Sequence, residues 1–116
     1  MKMFRSLGLL AMLLSNVALA SDHGAATKDR SAQELIEGRC KACHGTDGKG
    51  TIPTNPTIGG QHRSYLEHAL TEYHEGKRKN GIMGAQAKDL TKAEIKALAV
   101  WYSQQKAGLY VPSLGQ

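Results

Sequence analysis

The stretch Cys40-Lys41-Ala42-Cys43-His44 constrains this chain more than any other, because it sets two thiols three positions apart and follows them at once with an imidazole. On a helix, positions i and i+3 lie on one side. Sulfurs so placed can form thioethers with the two vinyl groups along one porphyrin edge, and His44 is then carried beneath the iron, the pattern of c-type haem attachment. Such a tether holds a large apolar disc in a small domain and lets the imidazole ligate iron with little loss of chain entropy. Three plainer readings compete: a redox dithiol, a short-loop disulfide, and half of a zinc site. No run of alternating β-branched residues precedes Cys40, as a strand-to-helix dithiol site requires, and no third cysteine is present to complete a structural zinc site.

Lys2 and Arg5 open the chain with positive charge, Leu7 to Leu14 form a short apolar run, and Ala18-Leu19-Ala20 puts small residues before Ser21. These are the parts of a secretory signal peptide, expected over 1–20 and cleaved after Ala20. The apolar run is shorter than the roughly 20 residues of a spanning helix and is interrupted by Ser15 and Asn16, so no stable membrane insertion is expected. In a bacterium, export leads to the periplasm, an oxidising compartment. Of the 116 residues, loss of 1–20 leaves 96, and the loss of Lys2 and Arg5 lowers the formal charge from +5 to +3. One domain of this size, with aromatics at only 5%, has difficulty building a core unaided, and a haem fills that gap. The modest positive balance suits an acidic protein partner. No nucleic-acid signature accompanies it, so no nucleic acid binding is expected.

Residues 21–30 are polar, show no apolar period and read as a flexible leader ahead of a domain over 31–116. Ser31-Ala32-Gln33-Glu34 is a capping box that opens a short helix through Leu35, Ile36 and Arg39 into the haem motif. Gly38 inside that helix costs about 1 kcal/mol relative to alanine, which predicts a close approach by another helix. From Gly45 to Gly60 the chain is dominated by Gly, Thr and Pro. A loop that long in a small domain is expected to wrap the haem, with Pro53, Pro56 and Ile58 in apolar contact, the plainer alternative being a mobile surface loop. A helix is predicted from His62 to His74, with Tyr65, Leu66, Ala69, Leu70 and Tyr73 on one apolar stripe and Gly76 as its stop. Lys77 to Gly81 reads as a basic turn leading into a loop at Ile82-Met83-Gly84. A second capping box, Thr91-Lys92-Ala93-Glu94, opens a last helix with Ile95, Leu98, Ala99 and Tyr102 on one face and Trp101 beside it.

His44 alone leaves one face of the iron to be filled. Met1, Met3 and Met12 fall in the expected signal peptide, which leaves Met83 as the one thioether of the mature sequence. Its Gly-flanked setting lets the backbone bring sulfur close to a flat cofactor, so Met83 is the leading candidate for the second axial ligand. Of His23, His62, His68 and His74, His68 is the second choice, and an open iron is the third reading. Methionine ligation raises the reduction potential.

With this motif early, one methionine late, helices at both ends and an export signal, the mature chain resembles a class I cytochrome c. It is most like the small bacterial periplasmic monohaem forms and one half of the dihaem members. The resemblance rests on Cys40 to Gly45 with Asp47-Gly48, on Asn55-Pro56-Thr57-Ile58-Gly59-Gly60-Gln61, and on Gly76-Lys77-Arg78-Lys79-Asn80 leading to Met83. It implies an all-α fold of three to four short helices wrapped around one haem c, bound covalently through Cys40 and Cys43. It implies further that the Pro56 carbonyl accepts the other imidazole proton of His44, that Ile58 packs against the haem, that Tyr65 and Arg78 lie near the haem or its propionates, and that Asn80 braces the Met83 loop. Close crossing of the terminal helices suits Gly38 facing Trp101 or Tyr102.

The implied function is single-electron transfer in the periplasm by a non-catalytic monomer. Its redox partner proteins are a donor such as a quinol-cytochrome c oxidoreductase or dehydrogenase and an acceptor such as a terminal oxidase or reductase. Lys41, Lys49, Arg63, Lys77, Lys79 and Lys88 are placed to orient an acidic partner. Two rival readings are a cytochrome c subunit of a larger periplasmic oxidoreductase complex and a gas-binding or sensing haem protein with an open iron.

Overall fold

The structure is a computed structural model that describes residues 28–106 and Gly108. The expected signal peptide over 1–20, most of the leader over 21–30, and His23 lie outside the described residues. Five helices follow in order: α1 (Ala32–Leu35), α2 (Lys41–His44), α3 (Arg63–His74), α4 (Gly81–Ala87) and α5 (Lys92–Ser103). A π-helical turn, Ile36–Cys40, joins α1 to α2. No strand occurs among the described residues, and the fold is all-α.

Ser31 closes both arms of its capping box: its side chain accepts from the Glu34 N–H, and the Glu34 carboxylate accepts from the Ser31 N–H. One turn later the Lys41 N–H reaches back to the Ile36 carbonyl, five residues away. The extra residue in this wider turn shifts the phase of the helix, and the neighbours Leu35 and Ile36 are both buried in the core. Gly38 falls on the outside of the turn. It is exposed, and a β-carbon there would meet nothing within 4 Å, so the expected close approach to Trp101 or Tyr102 does not occur. That crowding sits ten residues on, at Gly48. With φ at +74°, Gly48 passes so close to α5 and the far side of its own loop that a β-carbon would lie 2.5 Å from the Gly59 nitrogen and 2.9 Å from Tyr102 Cδ1.

The long segment after α2 is a tied-down wrap. A helix end leaves its last carbonyls without intrahelical partners, and this loop supplies them: the Gly50 N–H donates to His44, the Thr51 N–H to Cys43, and the Thr51 hydroxyl to Ala42 and Cys43. From the other side α5 holds the loop. Trp101 Nε1 donates to the Thr46 carbonyl, the Tyr102 hydroxyl to Gly45, and the Gly60 N–H to the Tyr102 carbonyl.

Helix α3 ends as Gly76 predicted. Gly76 adopts φ +69°, its N–H bonds to Tyr73, and the Lys77 N–H bonds to Glu72, which together make a Schellman cap. Ile82-Met83-Gly84, expected as a loop, lies instead within the helix α4. Gly81 and Gly84 make it a weak one by propensity, but the Asn80 side chain accepts from both the Ile82 and Met83 N–H groups and starts it. Helix α5 keeps its predicted cap and face: Ile95, Leu98, Ala99 and Tyr102 are buried together with Leu35, Ile36, Leu66, Ala87 and Leu90.

The expected leader gives its last two residues to the fold. Arg30 grips the buried Glu94 with two parallel hydrogen bonds, Nε to Oε1 at 2.7 Å and Nη2 to Oε2 at 2.8 Å, and adds its backbone N–H. Asp29 accepts from the Thr91 hydroxyl. Asp89 is shared between Arg30 and Arg39. A paired, hydrogen-bonded carboxylate can be buried where an isolated one cannot, which is why position 30 is ordered by position 94.

Two predictions follow the packing. Gly48→Ala is expected to lower the stability of the haem-loaded protein by about 3 kcal/mol, from positive-φ strain plus the backbone clash, whereas Gly38→Ala is expected to raise it by up to about 1 kcal/mol. Thermal or denaturant unfolding of the two variants distinguishes them, and equal effects would contradict the assignment of the close approach. The second concerns acid. The Arg30 hydrogen bond, opposed in part by burial and helped by backbone donors, holds the Glu94 carboxyl at about 2, against an ordinary 4.5. Its folded value lies below its unfolded one, so its stabilisation is complete above pH 4.5 and is lost as the pH falls toward 2. Glu94→Gln is therefore expected to flatten the fall in melting temperature over that window, as measured by circular dichroism; parallel curves for parent and variant would contradict this.

Candidate cofactor site

The haem motif, the wrap, α3, α4 and α5 enclose one apolar cleft of about 290 Å³. Cys40 borders it from the end of the π-helical turn and His44 from the end of α2, Pro56, Thr57 and Ile58 from the wrap, and Met83 from α4. Tyr65, Leu66, Ala69, Leu70 and Tyr73, the stripe read from the sequence of α3, form a third wall, and Leu98 and Tyr102 of α5 form the floor. Cys43 borders a smaller adjoining cavity with Cys40, His44 and Met83. Pro53, expected among the apolar contacts, is exposed and borders neither space.

His44 is oriented by the wrap. Its Nδ1 lies 3.0 Å from the Pro56 carbonyl oxygen. A carbonyl can only accept, so Nδ1 carries the proton and Nε2 keeps its lone pair for a ligand. The three histidines weighed as distal alternatives that fall among the described residues all lie away from the cleft. The imidazole of His68 is 70% exposed and pairs with Glu72 at 3.3 Å, His62 is exposed, and His74 donates from Nδ1 to the Ala87 carbonyl at 2.9 Å. Met83 alone supplies a further soft donor on the cleft, from the first turn of α4, where its own N–H is held by Asn80. The brace expected of Asn80 is thus a helix cap on the methionine's backbone.

The polar groups gather around Arg78. Its guanidinium lies 5.8 Å from the centre of the Tyr65 ring and 5.4 Å from that of Tyr73, while Nε bonds to Glu72 at 3.2 Å. Hydrogen bonding to Tyr65 raises the basicity of Arg78 above its ordinary value, so it stays charged beside an otherwise apolar wall. Burial pushes the Cys40 thiol up, opposed by Arg39, and pushes the Tyr102 hydroxyl up more strongly.

This donor set fits an iron porphyrin. Two thiols sit on one helical stretch, an imidazole presents one free nitrogen, and a thioether lies on a separate element. The enclosing surface is apolar except for a fixed cation and a few hydroxyl and amide groups. Among the described residues no cluster of three or more His, Cys, Asp or Glu could hold a bare metal ion, so the zinc reading of the cysteine pair has no partner residues there.

Known proteins agree with the chemistry. The family model for cytochrome c matches residues 30–106. The chain is 41% identical over 81 residues to cytochrome c-554(548) of Halomonas halodenitrificans, a match that covers 67% of this chain and 98% of that protein. It is 34% identical over 95 residues to the cytochrome subunit of sulfide dehydrogenase of Chlorobaculum tepidum, covering 72% of this chain and 86% of that one. Among solved structures it is similar to cytochrome c4 of Acidithiobacillus ferrooxidans, with a TM-score of 0.56 and 33% identity over 66% of this chain; it spans about half, 51%, of the c4 chain. The folded region that matches begins at the arginine that grips Glu94 and ends past α5, and it makes this chain a member of the cytochrome c family: an electron carrier with one haem c bound covalently through Cys40 and Cys43.

Proposed function

We propose that the chain is a periplasmic single-electron carrier whose haem iron is held between His44 and Met83. The observation that supports this most is that His44 and Met83 reach one apolar cleft from two different elements, while His62, His68 and His74 do not border it. When bound, the haem supplies the chemistry, a one-electron change between ferric and ferrous iron. The protein's part is to keep its own groups still. Pro56 fixes the His44 ring and its tautomer, Asn80 holds the backbone that carries the Met83 sulfur, and the apolar walls exclude water. Ile58 and Leu98 pack the interior, and Arg78, fixed by Tyr65, Tyr73 and Glu72, offers a positive charge for the propionate edge.

Export by a signal peptide over 1–20, cleaved after Ala20, belongs to the same reading. No helix among the described residues is long and apolar enough to cross a membrane. Docking is proposed to be brief and electrostatically guided, between a donor such as a quinol-cytochrome c oxidoreductase or dehydrogenase and an acceptor such as a terminal oxidase or reductase. The cations expected to guide it divide into two groups. Lys41, Lys49, Arg63 and Lys77 are paired with Glu37, Asp47, Glu67 and Glu75, while Lys79 and Lys88 make no ion pair among the described residues and carry the steering charge. A second reading, an electron-transfer subunit of a larger oxidoreductase, has its support in the likeness to the cytochrome subunit of sulfide dehydrogenase. Gel filtration separates the two: a monomer supports the free carrier, and a stable co-purifying catalytic subunit supports the other.

The ligand assignment is tested by Met83→Ala. The ferric variant is expected to lose the sulfur-to-iron absorption band, to bind carbon monoxide promptly when reduced at neutral pH, and to show a lower reduction potential. A parent protein that binds carbon monoxide as readily as the variant would contradict Met83 ligation.

A further inference from the structure

Helix α4 is a poor platform for a ligand taken by itself. It has seven residues, two of them glycine, only Ala87 is buried, and Ile82 is 70% exposed. What holds it is polar ties at its two ends. Asn80 caps the start, His74 donates to Ala87, and Arg39 crosses from the haem-motif side: Nη1 donates to the Gln86 carbonyl at 2.9 Å and to Asp89 Oδ1 at 2.7 Å, and Nη2 donates to Asp89 Oδ2 at 3.2 Å. Among the described residues, Arg39 is the one side chain of the stretch 31–44 that hydrogen-bonds to α4 or to the turn after it. It also precedes Cys40 in the π-helical turn, and with Gln86 it borders the small cavity of about 40 Å³ shared by Cys40, Cys43, His44 and Met83.

We propose that Arg39 is a positioning residue that locks the Met83 helix to the cysteine-bearing turn, so that both sides of the haem site move as one body. The proposal rests on Met83 being the axial ligand. The planar fork of arginine matters here: it meets a carboxylate through two nitrogens and still satisfies a helix-terminal carbonyl, a combination a lysine ammonium cannot reproduce. Those carbonyls at the end of α4 have no intrahelical partners, so the guanidinium also complements the negative end of the helix. Arg30 shares Asp89 but points its main grip at Glu94, and it makes no hydrogen bond to α4. Loss of Arg39 frees the C-terminal end of α4, and the sulfur then competes less well for iron against a diffusing ligand.

Imidazole binding to the ferric, haem-loaded protein tests this, with thermal melting measured in parallel. Arg39→Ala is expected to tighten imidazole binding about tenfold, and Arg39→Lys less, because it restores charge without the fork. Arg30→Gln should lower the melting temperature but leave imidazole affinity within about twofold of the parent. Should Arg39→Ala yield too little folded holoprotein, Asp89→Asn, which removes the carboxylate under the fork, is expected to tighten binding by at least about threefold. Less than about threefold tightening in Arg39→Ala, or in Asp89→Asn where that variant stands in for it, overturns the proposal, as does an Arg30→Gln effect as large as that of Arg39→Ala. Met83→Ala separates the two layers of inference. If it binds imidazole no more tightly than the parent, Met83 ligation and the role of Arg39 both fall; if it binds more tightly and Arg39→Ala does not, only the role of Arg39 falls.

Discussion

The hydrogen bond between His44 Nδ1 and the Pro56 carbonyl is the point on which the rest of the site turns, and it is a product of the whole wrap rather than of two residues. Pro56 reaches His44 because the loop returns over the end of α2, satisfying that helix's last carbonyls with Gly50 and Thr51. The loop can return only because Gly48 takes a left-handed conformation in a space with no room for a side chain. It stays there because α5 reaches across with Trp101 and Tyr102. Backbone groups that would otherwise be left unpaired at a helix end thus become the frame that sets the tautomer of an imidazole. One ring nitrogen left free on a residue that borders the cleft is the outcome.

The two sides of the cleft are built on different principles. The cysteine and histidine side is stiff by construction: a capped helix, a π turn, a second helical turn and a loop tied at both ends. The methionine side is a short glycine-containing helix of low intrinsic stability, kept in place by caps that other segments lend it. A carrier that exchanges electrons without changing ligands benefits from little reorganisation on either side. On the proposed Met83 ligation, that need falls to Asn80, His74 and Arg39 around α4, not to a longer helix.

What the sequence disclosed and what it hid follow from the range of the interactions involved. Both capping boxes and the stripe on α3 were legible, because each depends on residues within a turn or two of one another. Gly38 misled because a glycine inside a helix signals spare room or close packing alike, and only the fold says which; the close contact belonged to Gly48. Ile82-Met83-Gly84 reads as a loop because glycine flanks it, yet Asn80, three residues before Met83, is in position to cap a helix there. The π turn leaves no mark in so short a helix, where one extra residue is indistinguishable from a change of phase. The grip of Arg30 on Glu94 spans 64 positions and could not be read from either end alone.

Below about a hundred residues a chain has little apolar surface to bury, and the cleft bounded by α3, α5 and the wrap is core that the polypeptide alone does not fill. The covalently bound porphyrin is therefore both the redox centre and the missing part of the interior. The intact mass of the protein purified from a bacterial periplasm tests this most directly. The expected mass is that of residues 21–116 plus one haem, retained under denaturing conditions. A mass equal to the polypeptide alone, with the two cysteines free, would contradict the account.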